Sequence, residues 1–314
     1  MYDLIIIGSG PGGFTAAIYG GRAMLSTLLI TGSSLGGSMA LTVEIENYPG
    51  FPEGISGQEL TELMQRQAER FGAEVEMDEV TSVDLGTHPF KVKTHGRELE
   101  AKALIIATGT SARKLGVPGE KDFTGRGVSY CATCDGFFYR DRIVAVVGGG
   151  DSALDEALFL TRFASKVKVI HRRDRLRAEK ILQERAFKNE KIEFVWDSVV
   201  QEVFGNDRGV TGLRLKNVKT SEESVLETDG VFVYIGSVPN TRFLEGQLEL
   251  DERGFIVADR RGHTSVPGVF AAGDVQQPLL RQVASAVGSG AMVAMEADKF
   301  IAELEHRAYP ERTR

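Results

Sequence analysis

Cysteine is nearly missing from this sequence: two residues in 314, Cys131 and Cys134. A pair so close in the chain ties no distant segments together, which excludes a small scaffold held by disulfides. Long apolar runs are missing as well. No stretch reaches the roughly 18 apolar residues that a transmembrane helix needs, and the opening Tyr2-Asp3-Leu4-Ile5-Ile6-Ile7-Gly8 reads as a buried strand rather than a signal peptide. A cytoplasmic protein that does not engage a membrane is expected. In a reducing cytosol a close cysteine pair is catalytic or metal-binding. There is no basic excess either: 37 Lys and Arg against 44 Asp and Glu leave a formal charge of −7, which speaks against a nucleic-acid partner. The five histidines, at 88, 95, 171, 263 and 306, are never paired at ligand spacing, so no metal site is expected.

What is present is glycine, 36 residues of it in no collagen-like period, in a chain whose length suits two domains. The strongest pattern is a repeat: Leu4 to Gly13 recurs in type as Val144 to Ala153. In each copy an apolar strand runs into a glycine cluster and a helix follows, Phe14 to Met24 in one and Leu154 to Phe163 in the other. A short second strand comes next, Thr27 to Ile30 and Lys166 to Ile170. Two βαβ units are implied. The small residues have mechanical roles: Gly8 and Gly148 for the tight turn, Gly10 and Gly150 for close approach of backbone to a pyrophosphate, Gly13 and Ala153 for packing of helix on strand. The helix N-termini, entered through Ser9, Pro11 and Gly12 in the first copy and Asp151 and Ser152 in the second, offer N–H donors to phosphate.

The ends of the second strands separate the two ligands. The first unit offers Thr31-Gly32, with no acid for a ribose. The second offers His171-Arg172-Arg173, with Arg177 close by, and guanidinium groups there suit a 2′-phosphate, so this unit is expected to take NADPH. The competing reading is a solvated basic turn ahead of a helix that begins near Ala178. Two further strands end in small-residue turns, at Ala107-Thr108-Gly109 and at Gly273-Asp274. Both resemble the flavin-contacting turns of two-dinucleotide flavoproteins, in which a following helix, here beginning around Arg281-Gln282-Val283, points its positive end at the flavin ring. FAD therefore belongs to the first unit, wrapped by the Gly- and Pro-rich region from Thr27 to Gly57.

The expected fold is α/β, two Rossmann-like dinucleotide-binding domains with the NADPH domain inserted into the FAD domain. The FAD domain spans 1–113 and 245–314; the NADPH domain spans 114–244 and carries the cysteine pair. Gly- and Pro-containing segments near 113–119 and 237–242 serve as linkers. Lys91 to Leu104 and Val195 to Leu226 alternate as small antiparallel sheets would.

Between the glycine clusters lies Cys131-Ala132-Thr133-Cys134-Asp135. Half of a zinc site lacks its other ligands, and two inert core thiols would leave the spacing unexplained. Three residues apart, the sulfurs can close a small disulfide, and N–H donors can steady a thiolate if a helical turn begins here, so a redox pair is the best reading. Asp135 is open to two roles, proton exchange with a thiolate, or a structural one as helix N-cap or turn acceptor.

These residues are similar to those of the low-molecular-weight thioredoxin reductases, class II pyridine nucleotide-disulfide oxidoreductases: GSGPGGFTAA at 8–17, ENYPGF at 46–51, CATCDGFF at 131–138, GGGDSALDEA at 148–157, HRRDRLRAEK at 171–180, then AAGDV at 271–275 and RQV at 281–283. The match follows the family order over nearly the whole chain. The resemblance implies an NADPH-dependent thioredoxin-disulfide reductase, a homodimer with thioredoxin as partner. Hydride would pass from NADPH to FAD, two electrons to the Cys131–Cys134 disulfide, and the dithiol would exchange with thioredoxin. It makes Cys134 the sulfur facing the flavin, Cys131 the one attacking thioredoxin and Asp135 the acid. Ser9, Thr31, Asn47, Asp274 and Gln282 fall at FAD positions; Ser152 and His171 join Arg172, Arg173 and Arg177 at NADPH positions. Gly36-Gly37-Ser38-Met39 departs from the family's Gly-Gly-Gln-Leu, which removes one flavin contact. Nicotinamide and dithiol share one domain, so the resemblance also implies rotation of the NADPH domain about linkers near 113–118 and 237–243. The alternative is a reductase or oxidase of the same fold acting on another disulfide or dithiol.

Overall fold

Four consecutive apolar residues, Leu4 to Ile7, make a strand buried on both faces, and the first unit is assembled around it. Leu4 and Ile6 enter one core with Phe14, Leu29, Ile105 and Phe270. Ile5 and Ile7 enter another with Ile30, Val92, Ile106 and Val269. Two buried faces explain why this segment lacks the polar alternation of a half-exposed strand. The computed structural model describes residues 1–276 and 280–309, and the chain divides into two units, Met1–Ser111 with Val238–Arg314, and Ala112–Ser237.

In the first unit the sheet runs in the order Glu74–Glu76, Thr27–Ile30, Tyr2–Ile7, Glu98–Ile106, Phe90–Thr94, Val80–Asp84, with Val269–Ala271 also on Glu98–Ile106. Strand Glu98–Ile106 changes partner midway. Residues up to Ala101 pair antiparallel with Phe90–Thr94, and Leu104 to Ile106 pair in parallel with Val269–Ala271. One face is covered by the helices Pro11–Arg22, Gly57–Arg70 and Val283–Leu304. Helices Pro11–Arg22 and Val283–Leu304 cross closely because a Cβ on Gly290 would stand 2.1 Å from the carbonyl oxygen of Gly12. Only glycine permits that approach.

The second unit repeats the plan. Its sheet has the order Ile192–Val195, Lys166–Ile170, Ile143–Gly148, Gly230–Tyr234, Val128–Ser129, all parallel. Helices Asp151–Leu160 and Lys180–Lys188 cover one face. The antiparallel strands Ser198–Asn206, Gly209–Asn217 and Glu223–Glu227 cover the other through Val200, Val203, Leu213 and Leu215. Both units are thus three-layered, with the sheet's side chains alternating between two cores.

Three helix starts differ from expectation. The helix expected from Phe14 starts at Pro11, and the one expected from Leu154 starts at Asp151, because the first turn of each carries small and polar residues that add nothing to an apolar pattern. Pro11 at the first helical position costs no hydrogen bond there. The helix expected near Ala178 begins at Lys180. Inside the region expected as loops lies one short helix, Gly37–Ala40. Among the described residues no helix is long and apolar enough to cross a membrane, and no cluster of three or more His, Cys, Asp or Glu could hold a metal.

Candidate functional site: two glycine turns and a disulfide

The two glycine clusters have the same geometry. A Cβ on Gly8 would meet the Ala107 carbonyl oxygen at 2.4 Å, and one on Gly148 would meet that of Tyr234 at 2.4 Å. Both turns are therefore wedged against a neighbouring strand. Gly13 presses on the Gly8 carbonyl, where a Cβ would sit 1.9 Å away, and a Cβ on Gly148 would meet that of Ala153 at 2.7 Å. The middle glycines are the exception: around both Gly10 and Gly150 nothing lies within 4 Å of an added Cβ. Each caps a helix with extended backbone and no side-chain cap. The first-turn N–H groups of both helices thus adjoin open space, the arrangement that receives a phosphate group.

Around the first turn, Ser9 is buried, donates to the Thr31 carbonyl at 3.0 Å and accepts the Gly36 N–H at 3.1 Å. That one hydroxyl fastens the glycine turn to the strand end at Thr31-Gly32 and to Gly36-Gly37. Thr108 and Gly109 are held by Asn240, through Thr108 Oγ1 to the Asn240 carbonyl at 2.8 Å and Asn240 N–H to the Gly109 carbonyl at 3.1 Å. Gly273 donates to Ser289 at 2.9 Å, and burial raises the Asp274 carboxyl, with Arg281 opposing. Gln282 caps the helix Val283–Leu304 in a box with Ser285, and its Oε1 accepts from Asn47 Nδ2 at 3.1 Å. The FAD residues expected from the sequence, from Gly8 through Val283, are thus tied into one neighbourhood by strand pairing and these bonds. Its donor set fits a dinucleotide: helix N–H groups for phosphates, a half-buried carboxyl at Asp274 for hydroxyls, and a second helix N-terminus at Val283.

In the second unit His171 is buried beside Gly149, whose added Cβ would lie 2.5 Å from the imidazole. Its Nε2 is buried without a hydrogen-bond partner. Burial, then the charges of Arg177, Arg173 and Arg172, hold the imidazole below its ordinary value, against a hydrogen bond that the ring donates to the Arg175 backbone. Arg172, Arg173, Arg177 and Ser152 are exposed. Arg177 N–H donates to the Gly149 carbonyl at 2.7 Å, and Asp151 accepts the Glu179 N–H at 2.7 Å, so the arginine loop is pinned to the glycine turn. An orphaned imidazole nitrogen, three solvent-facing guanidinium groups and a helix N-terminus suit a phosphorylated dinucleotide.

Cys131 and Cys134 are joined as a disulfide with Cα atoms 5.4 Å apart. Cys131 caps the helical turn Ala132–Asp135, its sulfur accepting the Cys134 N–H at 3.2 Å and lying 3.2 Å from Thr133 Oγ1. Cys134 is the more exposed of the two. Asp135 closes the turn by its N–H to the Cys131 carbonyl at 3.2 Å, but its side chain makes no cap bond with the 3₁₀ turn Gly136–Tyr139 that follows. Asp135 thus stands at the start of that turn without capping it through its side chain.

Several supporting residues escape sequence reasoning. Ser129 accepts the Cys131 N–H at 3.1 Å, and Tyr234 accepts the Ala132 N–H at 2.8 Å. Glu120, buried, accepts from Leu115 N–H at 2.6 Å, Gly116 N–H at 2.7 Å and the Tyr130 hydroxyl at 2.7 Å. None lies in a motif. Tyr234 had one signal, a polar aromatic at the C-terminal end of a central strand, where sites in parallel sheets collect.

Comparison with known proteins agrees with this geometry. The profile of the family described as pyridine nucleotide-disulphide oxidoreductase matches residues 2–290. A thioredoxin reductase of Streptomyces coelicolor is 51% identical over 316 residues, 99% of this chain and 98% of that protein. One from Rickettsia conorii is 50% identical over 302 residues, 95% and 97% of the two chains. The crystal structure of Lactococcus lactis thioredoxin reductase is similar with a TM-score of 0.94 at 47% identity, over 96% of this chain and 100% of that one. With two glycine-turn units, a disulfide beside the second and a profile spanning nearly its whole length, the chain belongs to the pyridine nucleotide-disulphide oxidoreductases.

Proposed function

We propose that this enzyme is an NADPH-dependent thioredoxin-disulfide reductase, cytoplasmic and homodimeric, with FAD held by the unit of Met1–Ser111 and Val238–Arg314 and NADPH by the unit of Ala112–Ser237. The observation that carries this reading is the Cys131–Cys134 disulfide at the mouth of a helical turn, in the same unit as the Arg172-Arg173-Arg177 loop. FAD, when bound, supplies two-electron chemistry between a hydride donor and a disulfide. The chain's own residues do the rest. The first-turn N–H groups after Gly10 and Gly150 hold pyrophosphates, and the three arginines hold the 2′-phosphate.

Cys131 is the sulfur that attacks the partner. The Cys134 N–H and the Thr133 hydroxyl already surround it, and such donors would hold its charge as a thiolate. The exposed Cys134 receives the electrons. Asp135, with no cap bond to occupy it, is placed to pass the proton. Phe137 and Phe138, 61% and 71% exposed just beyond the turn, give the dithiol an apolar border suited to a protein partner rather than a small dithiol. Because dithiol and NADPH residues share one unit, that unit turns about the linkers near 113–118 and 237–243 between half-reactions.

The deciding experiment is anaerobic titration with NADPH followed by oxidised thioredoxin. The native enzyme should bleach and then recover its colour. The Cys131→Ser, Cys134→Ser double variant should still bleach with NADPH but reduce no thioredoxin; retained reduction would defeat the assignment.

A further inference from the structure

On the helix behind the dithiol sits a carboxyl that the exchange chemistry above does not use. Glu156 Oε2 is buried without a hydrogen-bond partner. Burial, with Asp155 beside it, lifts this carboxyl to about 7. Its helix, Asp151–Leu160, packs against the cysteine turn Ala132–Asp135 and against strand Gly230–Tyr234. Tyr234, on that strand, feels both: its hydroxyl accepts the Ala132 N–H at 2.8 Å, between the cysteines, and its phenol is raised by burial and by the charges of Glu156 and Asp135.

The other elements packed on this helix carry Lys166 and Lys168 on their strand and Lys180, Glu184, Arg185 and Lys188 on theirs. Lys166 pairs with Glu193 at 3.1 Å, Lys188 with Glu184, and Lys168 donates to the Glu227 carbonyl at 3.5 Å. The charge acting on Glu156 itself is that of Asp155. Among these groups Glu156 combines a buried, unpartnered oxygen with electrostatic reach to the residue that holds the cysteine turn.

We propose that Glu156 is the proton-holding partner of the Cys131–Cys134 couple, taking up a proton when the disulfide is reduced and releasing it when the disulfide re-forms, with Tyr234 as the group through which the two sites sense each other. Reduction breaks the S–S bond, adds two electrons and, with one proton, leaves one thiol and one thiolate. The thiolate is a new negative charge, and an unpartnered carboxylate is the group least able to remain an anion beside it. A second proton therefore moves from solvent to Glu156. When the couple hands its electron pair to a partner disulfide, the thiol and Glu156 each give up a proton, and the partner's two sulfurs take both. The unit then stores two electrons and two protons without a net change of charge. Glu156 is a positioning residue in this scheme, since it acts through Tyr234 and touches neither sulfur.

The inference rests on the redox role of the pair proposed above, not on which disulfide it serves, so the test reads the pair itself. Full-length holoenzyme is equilibrated with oxidised and reduced dithiothreitol from about pH 6 to about pH 9, acid-quenched, and the thiols of Cys131 and Cys134 are counted by alkylation. Above neutral pH the native couple should take up close to two protons per two electrons. Glu156→Gln should lower the slope of potential against pH to about half, while thioredoxin turnover, assayed separately, reports on the partner alone. Tyr234→Phe, which leaves the carboxyl in place, should move the slope part of the way. A native slope in Glu156→Gln, or in Tyr234→Phe should the first variant fail to fold, overturns the proposal.

Discussion

Arg172, Arg173 and Arg177 stand in solvent around a histidine that is itself buried and held below its ordinary pKa. Their charge is thus directed outward, where the proposed NADPH phosphate would meet it. Each charge-assisted bond to a phosphate is worth about 1.5–3 kcal/mol. Arg172→Ala and Arg173→Ala are therefore each expected to raise KM for NADPH about tenfold to a hundredfold and to leave KM for NADH unchanged; steady-state kinetics with both donors checks this. Glu156 gives a second prediction at this scale. Its carboxyl binds a proton more tightly in the folded chain than in the unfolded one, the pKa rising from 4.5 to about 7. The stability this contributes is complete below the unfolded value and is lost as pH rises through the folded one. At about 1.4 kcal/mol per unit the difference is about 3 kcal/mol. Urea unfolding at about pH 4 and about pH 8 should show the native protein losing that much relative to Glu156→Gln.

Elements carry information that single residues do not. Gly290 lies inside the helix Val283–Leu304, where alanine would ordinarily add about 1 kcal/mol of helix stability. Here a Cβ would strike the Gly12 carbonyl oxygen at 2.1 Å. The expected sign is reversed: Gly290→Ala should destabilise by about 1–3 kcal/mol and loosen flavin binding, because it pries apart the two helices whose N-termini serve the proposed FAD site. Thermal unfolding with and without added FAD measures both effects. The central strands were legible in sequence, since Leu4 to Ile7 and Val144 to Val147 are too uniformly apolar for anything but a doubly buried strand. Helix starts were less so. Pro11 and Asp151 begin their helices with residues chosen for backbone approach, not for burial, and the periodic pattern starts one turn later. Glu120, Ser129 and Asn240 were not legible at all, because a hydrogen bond between segments far apart in the chain leaves no local pattern.

At the scale of the molecule, the division after Ser111 and again after Ser237 leaves each unit with its own sheet and its own pair of cores. Each unit also secures its own end of the linkers, by Asn240 N–H to the Gly109 carbonyl at 3.1 Å in one and Arg113 N–H to the Gly236 carbonyl at 2.9 Å in the other. Two self-sufficient units on two short connections can move as bodies. Chemical cross-linking between them is expected to stop turnover with thioredoxin, and undiminished turnover in the cross-linked enzyme would refute the rotation. By itself the sequence determined the two glycine-turn units, their nested order, the basic loop at His171 to Arg177 and the cysteine pair, because each is written in a short stretch whose spacing is dictated by backbone geometry. The tertiary structure alone decided which groups flank those motifs. It set Tyr234 against the cysteine turn, left Asp135 without a side-chain cap bond, and left Glu156 Oε2 buried without a partner, since burial and hydrogen bonding across the fold depend on which distant segments meet.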